Sequence, residues 1–214
     1  MEFRLLYDGE LPSIGNKGRP SEVHEIRRTF HPQLRRLWSA ENNLHQLAMM
    51  RATHYKDDVR PESERPIPKN EDERFDLGIQ AMSLNWRRAG FQFVPLVTED
   101  MVLRCSIDIL LLRPDIEERF LVRRGDIDGQ VKTVFDALRI PENSGEAGGA
   151  VPQKDETPFF VLLEDDKLIT EVRVTTDRLL QLPNKADVKP NDCFAVIHIK
   201  LNHKTARTFD NWFG

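Results

Sequence analysis

Two aspartates, Asp126 and Asp128, open the stretch GDIDGQVKTVFDAL at residues 125–138, and Lys132 stands one helical turn after the second. A second acidic group, Glu164, Asp165 and Asp166, interrupts the apolar run FFVLLEDDKLITEVRV. One aspartate is enough to cap a helix, and one polar residue to make a turn. A hard divalent cation such as magnesium takes several oxygen ligands, and phosphodiester-cutting sites gather carboxylates from separate elements to supply them. On that chemistry Asp126 and Asp128 form one wall of a metal site and Asp166 the other. The same residues also read as caps and turn residues, with Asp128 and Lys132 as a surface i,i+4 pair. Spacing alone leaves both readings open.

Such a site has to be positioned by the elements around it. Ile127, Val131, Val134, Phe135 and Leu138 recur at the spacing of a core-facing stripe, which predicts an amphipathic helix with the aspartates crowding its positive end. Upstream, Cys105, Ile107, Ile109 and Leu111 alternate with Arg104, Ser106 and Asp108, so MVLRCSIDILLL reads as a core strand paired with GFQFVPLV. Downstream, an exposed loop at about 141–158 leads to a second predicted strand pair, folded at Glu164–Asp165–Asp166, and CFAVIHIKL is the last strand.

The N-terminal part is built differently. EFRLLYD alternates as a strand, GELPSIGNKGRP is rich in turn residues, and SEVHEIRRTF predicts a helix that Pro32 stops and QLRRLWSAENNLHQLAMMRATHY resumes. Charged, proline-bearing residues at about 56–72 read as an exposed loop, and ERFDLGIQAMSLNWRRA as a further helix. The order of elements predicts an α+β fold, a mixed sheet with one principal helix packed on it. Residues 1–214 form a single domain on this reading, with an N-terminal helical insertion at about 21–55.

At 214 residues with 39% hydrophobic content the chain can bury one sizeable core. A formal net charge of -4 excludes the wholesale basic character of a histone-like protein but leaves room for a local basic face. Arg123 and Arg124 sit just before the acidic pair, where DNA phosphates would approach, and positive charge there offsets the repulsion of the carboxylates. Arg27, Arg28, Arg35 and Arg36 recur at helical spacing and read equally as a solvated face. Cys105 and Cys193 lie in apolar runs, as reduced buried thiols of a cytoplasmic protein do. No run approaches the length of a membrane span, and the N-terminus lacks a signal-peptide core. No cysteine lies at zinc-finger spacing, and GNKGRP lacks the P-loop arrangement.

D-I-D-x-x-x-K heading a V-x-x-V-F-D-A-L helix, followed by a strand and E-D-D before another strand, resembles the RusA family of Holliday junction resolvases. The resemblance spans roughly residues 100–177, and Gly129 takes the place of the asparagine that commonly follows the second aspartate in that family. It implies a RusA-like fold and a magnesium-dependent, structure-selective endodeoxyribonuclease that cuts branched DNA such as Holliday junctions as a homodimer. Catalytic roles then fall on Asp126, Asp128, Lys132 and Asp166, with Asp165 as a supporting or alternative metal ligand. Lys132 would stabilise charge developing at the phosphate, or tether Asp128 or Asp136. The alternative is a non-catalytic nucleic-acid or protein-binding module that keeps the fold and uses its acidic residues as caps and turns.

Overall fold

Strict alternation in LRCSIDILLLRP makes a strand with one face for the core. The computed structural model describes residues 1–12, 20–53, 68–114, 127–180 and 192–203, and this strand lies inside its sheet. In chain order the strands are β1 (Glu2–Glu10), β2 (Arg87–Arg88), β3 (Phe91–Val97), β4 (Leu103–Pro114), β5 (Phe159–Leu163), β6 (Ile169–Leu179) and β7 (Asp192–His203). The main sheet has the order β1-β7-β4-β6, and a smaller one has the order β2-β3-β5. β7 runs antiparallel to both β1 and β4, whereas β4 and β6 are parallel, from Cys105 opposite Ile169 to Pro114 opposite Leu179. The predicted inward set, Cys105, Ile107, Ile109 and Leu111, is buried together with Ala195, Ile197 and Ile199 of β7.

Neither predicted strand pair forms. β3 and β4 belong to different sheets, as do β5 and β6, and β3 pairs with β5 in parallel. The reason lies in their burial: FFVLL is buried at all five positions and FQFVPLV at all but Gln92, so both behave as fully covered strands of a parallel pair. Each expected hairpin turn instead carries the chain from the small sheet to the large one. The result is α+β with mixed sheets.

Four helices, rather than one principal helix, accompany the sheets among the described residues: α1 (Pro20–Ala40), α2 (Asn42–Thr53), α3 (Glu71–Ser83) and α4 (Ile127–Leu138). α1 runs through Pro32 instead of stopping there. Pro32 is on the exposed side, where solvent can serve the carbonyl its ring leaves unbonded, while Val23, Ile26, Phe30, Leu34 and Trp38 bury the opposite stripe. α3 begins under the Asn70 side chain, which accepts from the Glu73 N–H at 2.8 Å, so the last residues of the expected 56–72 loop are helix. Gly78 lets α3 approach α2 closely: a Cβ there would lie 1.7 Å from the Ala48 carbonyl oxygen.

The 141–158 connection is irregular but not simply exposed. Ala147 and Glu156 are buried, Glu156 receives the Arg28 Nε–H at 2.6 Å, and the Asp155 carbonyl meets His31 Nε2 at 3.1 Å. Cys105 and Cys193 are free and buried, and burial pushes their thiols up to about 12 and about 11. No helix among the described residues is long and apolar enough to cross a membrane.

Candidate acidic site

The N-terminal half of α4 is fastened through the uncharged side chains of Gln130 and Thr133. Gln130 Nε2 donates to the Leu11 carbonyl at 3.1 Å, Thr133 Oγ1 donates to that of Pro12 at 2.9 Å, and the Arg113 guanidinium donates to Gln130 Oε1. These contacts set the helix start against the C-terminal ends of β1 and β4. They also rotate the buried face from its predicted position: Gln130, Thr133, Val134, Ala137 and Leu138 are inside, whereas Ile127 is 46% exposed. Polar side chains displace apolar ones here because backbone carbonyls satisfy them. Asp128 lies in the first turn, and both it and Lys132 are exposed. A carboxylate there is favoured by the helix dipole.

The other end of α4 is fastened by charge. Arg27, only 2% exposed, donates to the carbonyls of Asp136, in the last turn of the helix, at 2.6 Å and of Arg139, just past its end, at 3.2 Å. Burial, with the nearby Arg139 charge, lowers its guanidinium to about 10. Arg139 in turn pairs with Asp136 at 3.0 Å and Glu146 at 3.1 Å. Arg27 therefore does not belong to a solvated face. Its spacing from Val23, Phe30 and Leu34 placed it on the apolar stripe, and that is the sequence signal that marks it. His31, on the same stripe, accepts the Phe160 N–H at Nδ1 at 2.8 Å and so donates from Nε2 to Asp155.

The acidic turn lies beyond this second end. Arg139 bridges to Leu163, and the Ile140 N–H donates to the Leu163 carbonyl at 3.0 Å. Its three acidic residues are used differently. Glu164 Oε2 accepts the Glu99 N–H at 2.9 Å, and Asp165 Oδ1 accepts the Lys167 N–H at 3.0 Å as the cap of a 3-10 turn, Asp166–Leu168. Lys167 Nζ bridges Glu99 at 3.1 Å and approaches Asp165 at 3.8 Å. Among the described residues the exposed Asp166 carboxylate has no hydrogen-bond or ion-pair partner. Capping thus accounts for Asp165 and for Glu164, and leaves Asp166 over.

The structure does not bring the two acidic groups together within one chain. Asp128 is at the start of α4, beside the Arg113 end of β4; Asp165 and Asp166 precede β6, which begins opposite Cys105 at the other end of β4. The ten residue steps from Asp128 to Leu138 alone span about 15 Å of helix. Among the described residues no group of three or more histidine, cysteine, aspartate or glutamate side chains is placed to hold a metal ion. Asp126, Arg123 and Arg124 lie outside the described residues. Asp128, Asp165 and Asp166 of a single chain therefore do not fit one magnesium ion, because a carboxylate reaches its metal at little more than 2 Å.

No family model, curated protein or solved structure matches this chain.

Proposed function

We propose that the chain is a metal-dependent endonuclease acting on branched DNA, with Asp126, Asp128, Lys132 and Asp166 as its working residues. The observation that carries this reading is Asp166: an exposed carboxylate beside a residue that already caps the turn, with nothing in the described fold that needs it. Asp128 and Lys132 support it, since both point to solvent at the positive end of α4, where a phosphate backbone can approach. The order of these residues along the chain resembles that of the RusA resolvases, and magnesium is the cation that such carboxylates suit. Arg123 and Arg124 would grip phosphates next to the site. Buried, unreactive thiols accord with a reducing compartment such as the cytoplasm.

The separation of Asp128 from Asp166 favours a second reading, a non-catalytic module that binds nucleic acid or protein. One assay separates them: cleavage of a four-way junction, a flap and a linear duplex in magnesium, by the parent chain and by Asp128→Asn, Asp166→Asn and Asp136→Asn. The nuclease reading expects junction cutting that the first two substitutions abolish and the third leaves largely intact. Equal cutting by all four proteins, or none by the parent, would sink it.

A further inference from the structure

The first three helices enclose a cavity that the acidic residues do not line. It measures about 510 Å³. Arg35 and Arg36 of α1 line one wall, Asp72, Phe75 and Asp76 of α3 recur at i, i+3 and i+4 along another, and His45 of α2 completes the lining. The volume is that of a site for a small organic molecule. Its walls carry opposite charges that do not meet. Arg35, Arg36, Asp72 and Asp76 are exposed, and among the described residues none of these four side chains has a hydrogen-bond or ion-pair partner. The rings of His45 and Phe75 stack 4.6 Å apart and within 8° of parallel, with Phe75 anchored against the main apolar core. His45 Nδ1 is buried with no hydrogen-bond partner, so the fold uses the face of this ring and leaves that nitrogen idle.

We propose that this cavity binds a single nucleotide, with its phosphate on Arg35 and Arg36, its base against the His45 and Phe75 stack, and the amine of that base on Asp72 and Asp76. Charge decides the phosphate. A phosphomonoester carries about -1.5 to -2 at pH 7, which two guanidinium groups balance, whereas a lone carboxylate would leave one of them unmatched. Planarity decides the base, because a stack of rings extends favourably by one more flat ring. The aspartates decide which base. Carboxylates only accept, so they select N–H donors: the exocyclic amine of cytosine or adenine supplies these, while the O4 carbonyl of uracil or thymine would meet them lone pair to lone pair. The site uses none of the acidic residues of the proposed nuclease and stands whether or not the chain cuts DNA.

Titration calorimetry on the full chain, without magnesium, tests this with deoxycytidine monophosphate, deoxyuridine monophosphate, deoxycytidine and inorganic phosphate. The parent should bind the first of these, and should bind the uracil nucleotide and the bare nucleoside each about tenfold more weakly, as the loss of a charge-assisted contact implies. Arg35→Gln with Arg36→Gln should bring the nucleotide down to the affinity of the nucleoside. Asp72→Asn with Asp76→Asn should erase the preference for cytosine over uracil, because an amide offers a donor as well as an acceptor. His45→Ala should weaken both nucleotides alike. All five side chains are exposed or half-buried, so each variant should keep the parent's thermal midpoint, and the parent's own ranking of the four ligands decides the proposal even where a variant fails to fold. A short single-stranded oligodeoxycytidylate separates two sources of the nucleotide. Displacement of the bound monophosphate supports a site for an unpaired nucleotide of a strand, and its retention supports a site for the free molecule. No binding of deoxycytidine monophosphate at millimolar concentration, equal affinity for the cytosine and uracil nucleotides, or binding that inorganic phosphate alone reproduces would overturn the proposal.

Discussion

At the C-terminal end of α4 the buried Arg27 guanidinium seats two backbone carbonyls and stands beside an Arg139 ion-pair network, whereas the N-terminal end is fastened by the side chains of Gln130 and Thr133 and leaves Asp128 and Lys132 in solvent. Charge is buried in structure at one end and exposed at the other. A buried charge is costly to leave unpaired, so the fold surrounds Arg27 with acceptors. An exposed carboxylate at a helix start contributes little to stability, at most about 1 kcal/mol, and can be replaced without unfolding the chain. On the proposed nuclease reading, that difference makes the N-terminal end the one that acts.

Substitutions at the two ends should therefore separate activity from stability. The largest effect expected is on cleavage: Asp128→Asn should lower junction cutting by about a hundredfold or more while its thermal midpoint stays within a degree or two of the parent. A parallel loss of midpoint would mean that Asp128 is structural and that the contrast between the ends is mistaken. Arg27→Met should do the reverse. It orphans the Asp136 and Arg139 carbonyls, and should destabilise the protein by about 3 kcal/mol in urea unfolding. A loss under about 1 kcal/mol would show that α4 does not depend on this clamp.

A smaller, pH-dependent effect sharpens the same contrast. His24, packed beside Arg27 with its Nδ1 3.0 Å from Nη1, is lowered to about 4 by burial and by the charges of Arg27 and Arg28. Burial lowers His31 as well. The folded state favours both rings neutral, so their contribution is complete above the ordinary histidine value of about 6.5 and declines as pH falls below it, the His24 part being lost as pH falls through about 4. The urea midpoint should be level from pH 8 to 7 and decline below about 6.5, and His24→Gln should flatten part of that slope. A midpoint unchanged down to pH 4.5 would contradict the buried neutral pair. The smallest effect belongs to the N-terminal end: Thr133→Val removes one hydrogen bond to Pro12 and should cost about 1 kcal/mol. A cost as large as that of Arg27→Met would erase the distinction between the two fastenings.

Much of the local structure was legible before any partner was known. The alternation of Cys105, Ile107, Ile109 and Leu111 identified β4 and its inward face, and the cap-like aspartates followed by helical spacing identified α4. The face of α4 was read one step off, because Gln130 and Thr133 look polar and are buried all the same once Leu11 and Pro12 offer them carbonyls. Pro32 misled for a related reason: its effect on a helix depends on which side faces water, and that is decided by what packs on the other side.

The sequence by itself determined the periodic faces and the reduced state expected of two cysteines in apolar runs, and it left the acidic residues readable either as a site or as caps and turns. These follow from interactions within a few residues, where side-chain spacing and backbone geometry are coupled directly. Tertiary structure alone decided that β3 joins β5 and β4 joins β6, that Arg27 turns inward to close α4, and that the helix length stands between Asp128 and Asp166. Strand partners are chosen by burial and hydrogen bonding across many intervening residues, and no local pattern specifies which apolar run will meet which. Two acidic motifs can therefore be neighbours in sequence order and still stand at opposite ends of a sheet, because a parallel crossover must return to the start of its strand before the next one begins.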